Sequence, residues 1–164
     1  MAEPWKMPPL VKVYEAIGAL GDRRVILKDE TRAAVVSSEG DKTYEVENSP
    51  DLHEVSSNDN ASYWQGYLGY PGIAVLLARG LYRPRPQTVE ALGAIPWKAL
   101  NRRFRNDYAK TIAEVTRLIE ERGYDAESVK AEVQAVMDAL RKLAPVRGKR
   151  KRPPAEKPAR RRVS

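Results

Sequence analysis

Residues 32–47 read Arg32-Ala33-Ala34-Val35-Val36-Ser37-Ser38-Glu39-Gly40-Asp41-Lys42-Thr43-Tyr44-Glu45-Val46-Glu47, and this stretch decides the fold. Two β-prone runs, 32–37 and 42–47, flank Ser38-Glu39-Gly40-Asp41, a turn composition. Short, partly alternating runs joined by a glycine-containing loop read as an antiparallel hairpin. Working outward, 24–27 precedes it across Lys28-Asp29-Glu30, and 52–56 follows it across Asn48-Ser49-Pro50-Asp51. The whole is a meander of three or four short strands. So few strands cannot close a barrel, so helices must cover one face. The expected class is α+β.

The flanks supply the helices. Residues 9–20 carry Leu10, Val13, Tyr14, Ile17 and Leu20 at helical spacing, with Gly21 as a stop. Gly18 inside this run costs up to ~1 kcal/mol relative to alanine, so the end is expected to fray. After the sheet, Ser57-Asn58-Asp59-Asn60 offers N-cap residues for a helix over 61–69, and Pro71 opens another over 72–79, ended by Gly80. Residues 82–86 read as a rigid basic loop and 88–92 as a helical turn. Pro96 starts a long helix expected to run to 122, with the stripe Trp97, Leu100, Phe104, Tyr108, Ile112, Val115 and Ile119.

The last helix carries Val129, Val133, Val136, Leu140 and Leu143 at 4-3-4-3 spacing, a heptad seam, and Pro145 stops it. Such a seam either packs back on its own domain or zips two chains together. Its charged flanks (Lys130, Glu132, Asp138, Arg141, Lys142) favour the second, a homodimer through this helix. The organisation expected is a flexible arm at 1–8, a domain at 9–123, a dimerisation helix at 125–144 and a disordered basic tail at 145–164.

The tail stands out by charge. The chain of 164 residues has a net charge of +7, yet residues 147–164 hold nine bases against Glu156, leaving 20 bases and 21 acids for residues 1–146. With three prolines and little apolar content, the tail cannot bury enough surface to offset its ordering entropy. A flexible basic arm beside a neutral domain suits a polyanion. Residues 39–59 carry seven acids against Lys42, and residues 79–105 carry seven bases (Arg79, Arg83, Arg85, Lys98, Arg102, Arg103, Arg105) against Glu90, so one acidic and one basic surface are expected.

Catalytic chemistry finds few carriers. No cysteine is present, and His53 is the one histidine, set among Asp51, Glu54 and Asp59 as a surface residue. Thiolate zinc sites, cysteine nucleophiles and multi-histidine metal sites are excluded. Asp59 and Asp107 lack metal-binding spacing, and no phosphate loop or nucleophile elbow occurs. The expectation is a protein that is not an enzyme, with no metal or cofactor. The longest apolar stretch, 73–78, is far below the ~20 residues that span a bilayer, and no signal peptide is visible, so a cytoplasmic, membrane-free protein is expected.

The strongest local feature runs from Ser57 to Gly72, where Tyr63, Trp64, Tyr67 and Tyr70 fall within eight positions among amides and glycines. These rings are either core or a stacking platform. Aromatic faces stack on any base, and adjacent cations hold the phosphates. With Tyr44 from the sheet and the seven bases of 79–105, they form the expected nucleic-acid-binding set. Few amides, no cysteine and many Arg and Glu residues add a bias shared by thermophilic proteins.

The 56–77 block, the helix start Ile95-Pro96-Trp97-Lys98-Ala99-Leu100-Asn101, the small sheet before them and the terminal heptad helix resemble ThermoDBP, the single-stranded DNA-binding protein family of the Thermoproteales, hyperthermophilic archaea. The resemblance covers about residues 8–144. It implies a helix-and-sheet DNA-binding domain, an aromatic and apolar cleft flanked by basic residues, and dimerisation through the C-terminal helix. The basic tail after Pro145 lies outside that pattern. The expected function is sequence-tolerant binding and protection of single-stranded DNA. The alternatives are RNA binding, for instance with the translation machinery, and a dimeric protein–protein adaptor whose aromatic residues are all core.

Overall fold

The computed structural model describes residues 2–155. The elements in chain order are α1 (Leu10–Gly21), β1 (Val25–Leu27), β2 (Arg32–Val36), β3 (Thr43–Asn48), β4 (Glu54–Ser57), a π-helical turn (Ala61–Gln65), α2 (Tyr70–Ala78), α3 (Pro86–Leu92), α4 (Trp97–Arg103), α5 (Tyr108–Glu121), α6 (Ala126–Leu143) and β5 (Val146–Arg147). The fold is α+β, with a mixed sheet in the order β1-β2-β3-β4-β5. The first four strands form the antiparallel meander, and β5 adds in parallel to β4.

The hairpin at 32–47 holds as read. Val35 faces Tyr44 and Ala33 faces Val46 across the ladder. The Ser37 hydroxyl closes the loop by donating to Asp41 at 2.7 Å and accepting from the Lys42 amide at 3.1 Å. Val35, Val46 and Val55 are fully buried beneath the helices.

α2 carries the apolar run at 73–78, and an element apolar all round must be covered all round. It lies on β1–β4 with α1 packed over it, and α3 and α6 pack against α1 in turn. Gly18 is a point of close packing, not the frayed end expected from its propensity: a Cβ there would sit 2.6 Å from Trp97 Nε1 and 3.0 Å from the Leu92 carbonyl oxygen.

Four expectations are corrected. The heptad seam belongs to the core: Val129, Val133, Val136 and Leu140 are at most 3 % exposed within one chain, and Leu143 is half-buried against the same cluster. Within the single chain this face of α6 covers α1 and α3. The long helix expected over 96–122 is two, α4 and α5. Arg105 and Asn106 adopt φ of 51° and 60°, and the Asp107 carboxylate restarts the helix by accepting from the Lys110 amide. Both helices turn apolar sides to one core, so the stripe continues across the break.

The N-terminal arm is docked. Lys6 and Trp5 pair with the Gly66 and Pro145 carbonyls, and the Trp5 indole donates to the Val55 carbonyl at 2.9 Å. The tail, expected to be disordered from 145, continues as β5, with the Val146 amide donating to His53 at 2.7 Å and the Gly148 amide to Val55 at 3.0 Å. An open sheet edge offers backbone partners regardless of side-chain composition. The later tail bases Lys157, Arg160, Arg161 and Arg162 lie outside the described residues. Among the described residues, no helix is long and apolar enough to cross a membrane.

Candidate nucleic-acid interface

The aromatic segment is organised by a buried carboxylate. Asp59 accepts from the Ser57 hydroxyl at 2.6 Å, the Ser62 hydroxyl at 2.7 Å and the Ser62 amide at 3.1 Å, and Ser62 in turn accepts from the Gly69 amide at 2.9 Å. Asp59 is thus a structural clamp. Among the described residues, no group of three or more acidic or histidine side chains is placed to hold a metal ion. The clamp winds residues 61–65 into a single wide turn in place of the expected helix to 69. Gly66 ends it at a φ of 79°, a left-handed conformation that suits glycine.

This geometry splits the expected aromatic set. Tyr63 and Trp64 meet edge to face at 4.6 Å, and Trp64 is 68 % exposed, the largest exposed ring in the described chain. They line a groove of about 340 Å³ together with Lys6, Arg147, Lys149, Arg150 and Lys151. Arg150 lies 4.1 Å from the Tyr63 ring centroid, Arg147 lies over Trp5 and donates to the Gly66 carbonyl at 3.1 Å, and Lys151 pairs with Glu47 at 2.7 Å. The basic residues beside Trp64 therefore come from the two chain ends, not from 79–105. Their signal in the sequence was charge alone; the strand that delivers them is set by backbone pairing.

Tyr44 and Tyr70 form a second site. Their rings meet at 6.2 Å and 85° in a cleft of about 440 Å³ between α1, α4 and the β2–β3 hairpin. Lys98 and Arg102 line it, as expected, but they are occupied: Lys98 pairs with Asp41 at 2.8 Å and Glu39 at 3.6 Å, and Arg102 reaches Glu39 at 3.7 Å. The acidic and basic stretches, expected on separate surfaces, partly neutralise each other here. Lys98 holds the Asp41 carboxyl down at about 2, with help from Ser37. Burial, and then the Asp59 carboxylate, push the Tyr44 phenol up to about 12, and burial pushes Tyr70 up as well. Below the rings, Glu15 is 3 % exposed, accepts from Asn101 Nδ2 at 2.6 Å and pairs with Lys12 at 3.2 Å. Burial works to lower the Lys12 pKa, but Glu15, Tyr108 and Tyr67 together leave it raised. Tyr67 is half-buried beside this ion pair.

The remaining expected cations serve elsewhere. Arg79 donates to Asn48 Oδ1 at 2.8 Å and to the Asp29 and Arg32 carbonyls, tying the end of α2 to the sheet. Arg85 pairs with the buried Glu132 of α6, and Arg83 is exposed nearby in the chain. Arg103 lies over Phe104, and exposed Arg105 sits in the α4–α5 turn; neither lines the groove or the cleft.

The class defined by these features is a small α+β protein with an exposed aromatic–basic groove beside a polar aromatic cleft. The chain belongs to the family described as Uncharacterised conserved protein UCP014422, which matches residues 5–146. That range includes Trp5, Glu15, Tyr44 and Trp64 and stops one residue before Arg147. No curated protein and no solved structure matches the chain.

Proposed function

We propose that this protein binds single-stranded nucleic acid, DNA in the first instance, without demanding a sequence along the groove. The observation that carries the reading is Trp64: a 68 % exposed indole, held on a clamped turn and edged by Tyr63, in a groove whose cations outnumber its carboxylate partners. Exposing an indole forgoes burial worth several kcal/mol, so its surface is better explained by a ligand than by folding. A base stacks on it while Lys6, Lys149 and Arg150 neutralise phosphates. This is also the ligand that the resemblance to ThermoDBP implies, reached through a different cation set. The reading needs no bond-breaking step.

The test is fluorescence anisotropy of a labelled oligo(dT) with the intact chain and with Trp64→Ala, alongside duplex DNA and an RNA of equal length. Tight binding to the single strand, quenching of tryptophan emission and loss with Trp64→Ala support the proposal. Equal affinity for duplex and single strand reduces the groove to a phosphate binder. Preference for the RNA assigns the same chemistry to that polymer.

A further inference from the structure

The Tyr44–Tyr70 cleft has features a phosphate groove does not need. Of the four cations that line it, Lys12, Lys98 and Arg102 already face carboxylates, which leaves Lys42 and little positive charge for a phosphate. Its floor is acceptor-rich. Glu15 is buried, with its Oε1 accepting from Asn101 and its Oε2 facing the Lys12 ammonium at 3.2 Å, while Asn101 Oδ1 is buried without a hydrogen-bond partner among the described residues. A buried acceptor left without a donor is destabilising, and a ligand donor relieves that cost. The walls are two phenol rings, and the volume of about 440 Å³ falls in the ~300–1,000 Å³ range of small-molecule sites. A planar, neutral group that brings hydrogen-bond donors fits all three features. Asn60 lines this cleft and Ser62–Trp64 line the groove, so the two sites flank one turn of the chain.

We propose that this cleft takes one nucleotide and selects guanine through its Watson–Crick edge. The inference rests on the reading of the protein as a nucleic-acid binder and adds a base-reading position to a groove that does not read sequence. Guanine presents two adjacent donors, N1–H and the N2 amine, to the Glu15 carboxylate and Asn101 Oδ1. Adenine and cytosine present one amine beside a ring-nitrogen acceptor. Thymine and uracil present a single N–H between two carbonyl oxygens, which the carboxylate repels. Lys12 gives way on a flexible stem, and its ammonium already lies 5.1 Å from the Tyr108 ring centroid, a second partner when the base takes Oε2.

The experiment titrates GMP, AMP, CMP and UMP separately into the full chain by calorimetry. The expected result is GMP binding about tenfold tighter than the other three, the worth of one added hydrogen bond to a charged acceptor. Glu15→Gln keeps the size but replaces one acceptor with a donor, and should bring the four nucleotides to near-equal affinity. Asn101→Ser, at a half-buried position on α4, should lower the GMP preference if Glu15→Gln fails to fold. Four equal affinities in the native chain, or no binding of any nucleotide, overturn the proposal. Trp64→Ala separates the two readings. It should weaken oligo(dT) binding by roughly 5- to 150-fold yet leave the GMP titration unchanged; oligo(dT) binding as tight as in the native chain sinks the groove and leaves the guanine cleft standing.

Discussion

The turn at residues 61–65 carries Trp64 on the groove side, while Asn60 just before it faces the cleft of Tyr44 and Tyr70. In the groove, five cations gather with Glu3 and Glu47 as acidic partners, and the indole faces solvent. In the cleft, four cations meet Glu15, Glu39 and Asp41, and the rings are half-buried against each other. Aromatic residues close together in the chain thus end in two electrostatic settings. A surplus of positive charge suits a polyanion, whereas balanced charge with a buried acceptor suits a neutral group that donates hydrogen bonds. Proximity in sequence says little about which role a ring takes.

The largest expected effect tests the body that supports both regions. Val136→Asp puts an unpaired charge in the core and should cost on the order of 4 kcal/mol or more. Circular dichroism should report an unfolded or aggregated chain. A folded monomer with full helicity would return the seam to an interface. Next is Asp59→Ala, which strands the Ser57 and Ser62 donors and should cost about 3 kcal/mol. Thermal melts should show the loss, and Trp64 emission should shift as the turn relaxes. Normal emission and stability would mean the groove does not depend on the clamp.

Trp64→Ala comes third. It should weaken oligo(dT) binding by ~1–3 kcal/mol and leave the melting temperature within a few degrees. The paired control, Trp97→Ala, should cost ~3–5 kcal/mol of stability, because that ring is buried against Tyr14 and Gly18. Fourth, replacing Lys149, Arg150 and Lys151 with Gln should flatten the salt dependence of single-strand binding by roughly 0.7 in log–log slope for each phosphate no longer neutralised. The same variant should leave nucleotide binding in the cleft untouched. An unchanged slope would make these cations bystanders.

The smallest effect is a pH dependence confined to the cleft rim. The Asp41 carboxyl is held down to about 2 by Lys98 and Ser37, below its ordinary value near 3.8. A depressed folded-state pKa adds stability that is present above the ordinary value and fades as pH falls through about 2. The group is exposed, so the effect is small. Melts of the native chain and Asp41→Asn should differ slightly at pH 5 and converge toward pH 2. A difference that persists there would point to a non-electrostatic role.

Much of the fold was legible locally. The hairpin at 32–47 and the Val13, Tyr14 and Ile17 stripe of α1 follow from turn chemistry and periodicity. The exposure of Trp64 was not legible, since an aromatic residue in a glycine-rich segment fits a core as well as a platform. Nor was the division of the cations. Arg79 and Arg102 look alike in a string of letters, yet one is spent on backbone carbonyls and the other faces an acid.

The sequence by itself determined the α+β class, the meander, the near-neutral body with a basic end, and the clustering of aromatic residues after β4. These depend on the periods of strand and helix, on the φ preferences of turn residues and on charge counts, all properties of neighbours in the chain. The tertiary structure decided that the heptad face covers α1 and α3, that β5 pairs at the β4 edge with the N-terminal arm along it to bring Arg147–Lys151 beside Trp64, and that Glu15 and Asn101 meet in the cleft of Tyr44 and Tyr70. Each depends on which surfaces are left uncovered once the other elements have packed. A backbone edge or an apolar face accepts any partner that fits, whatever its distance along the chain.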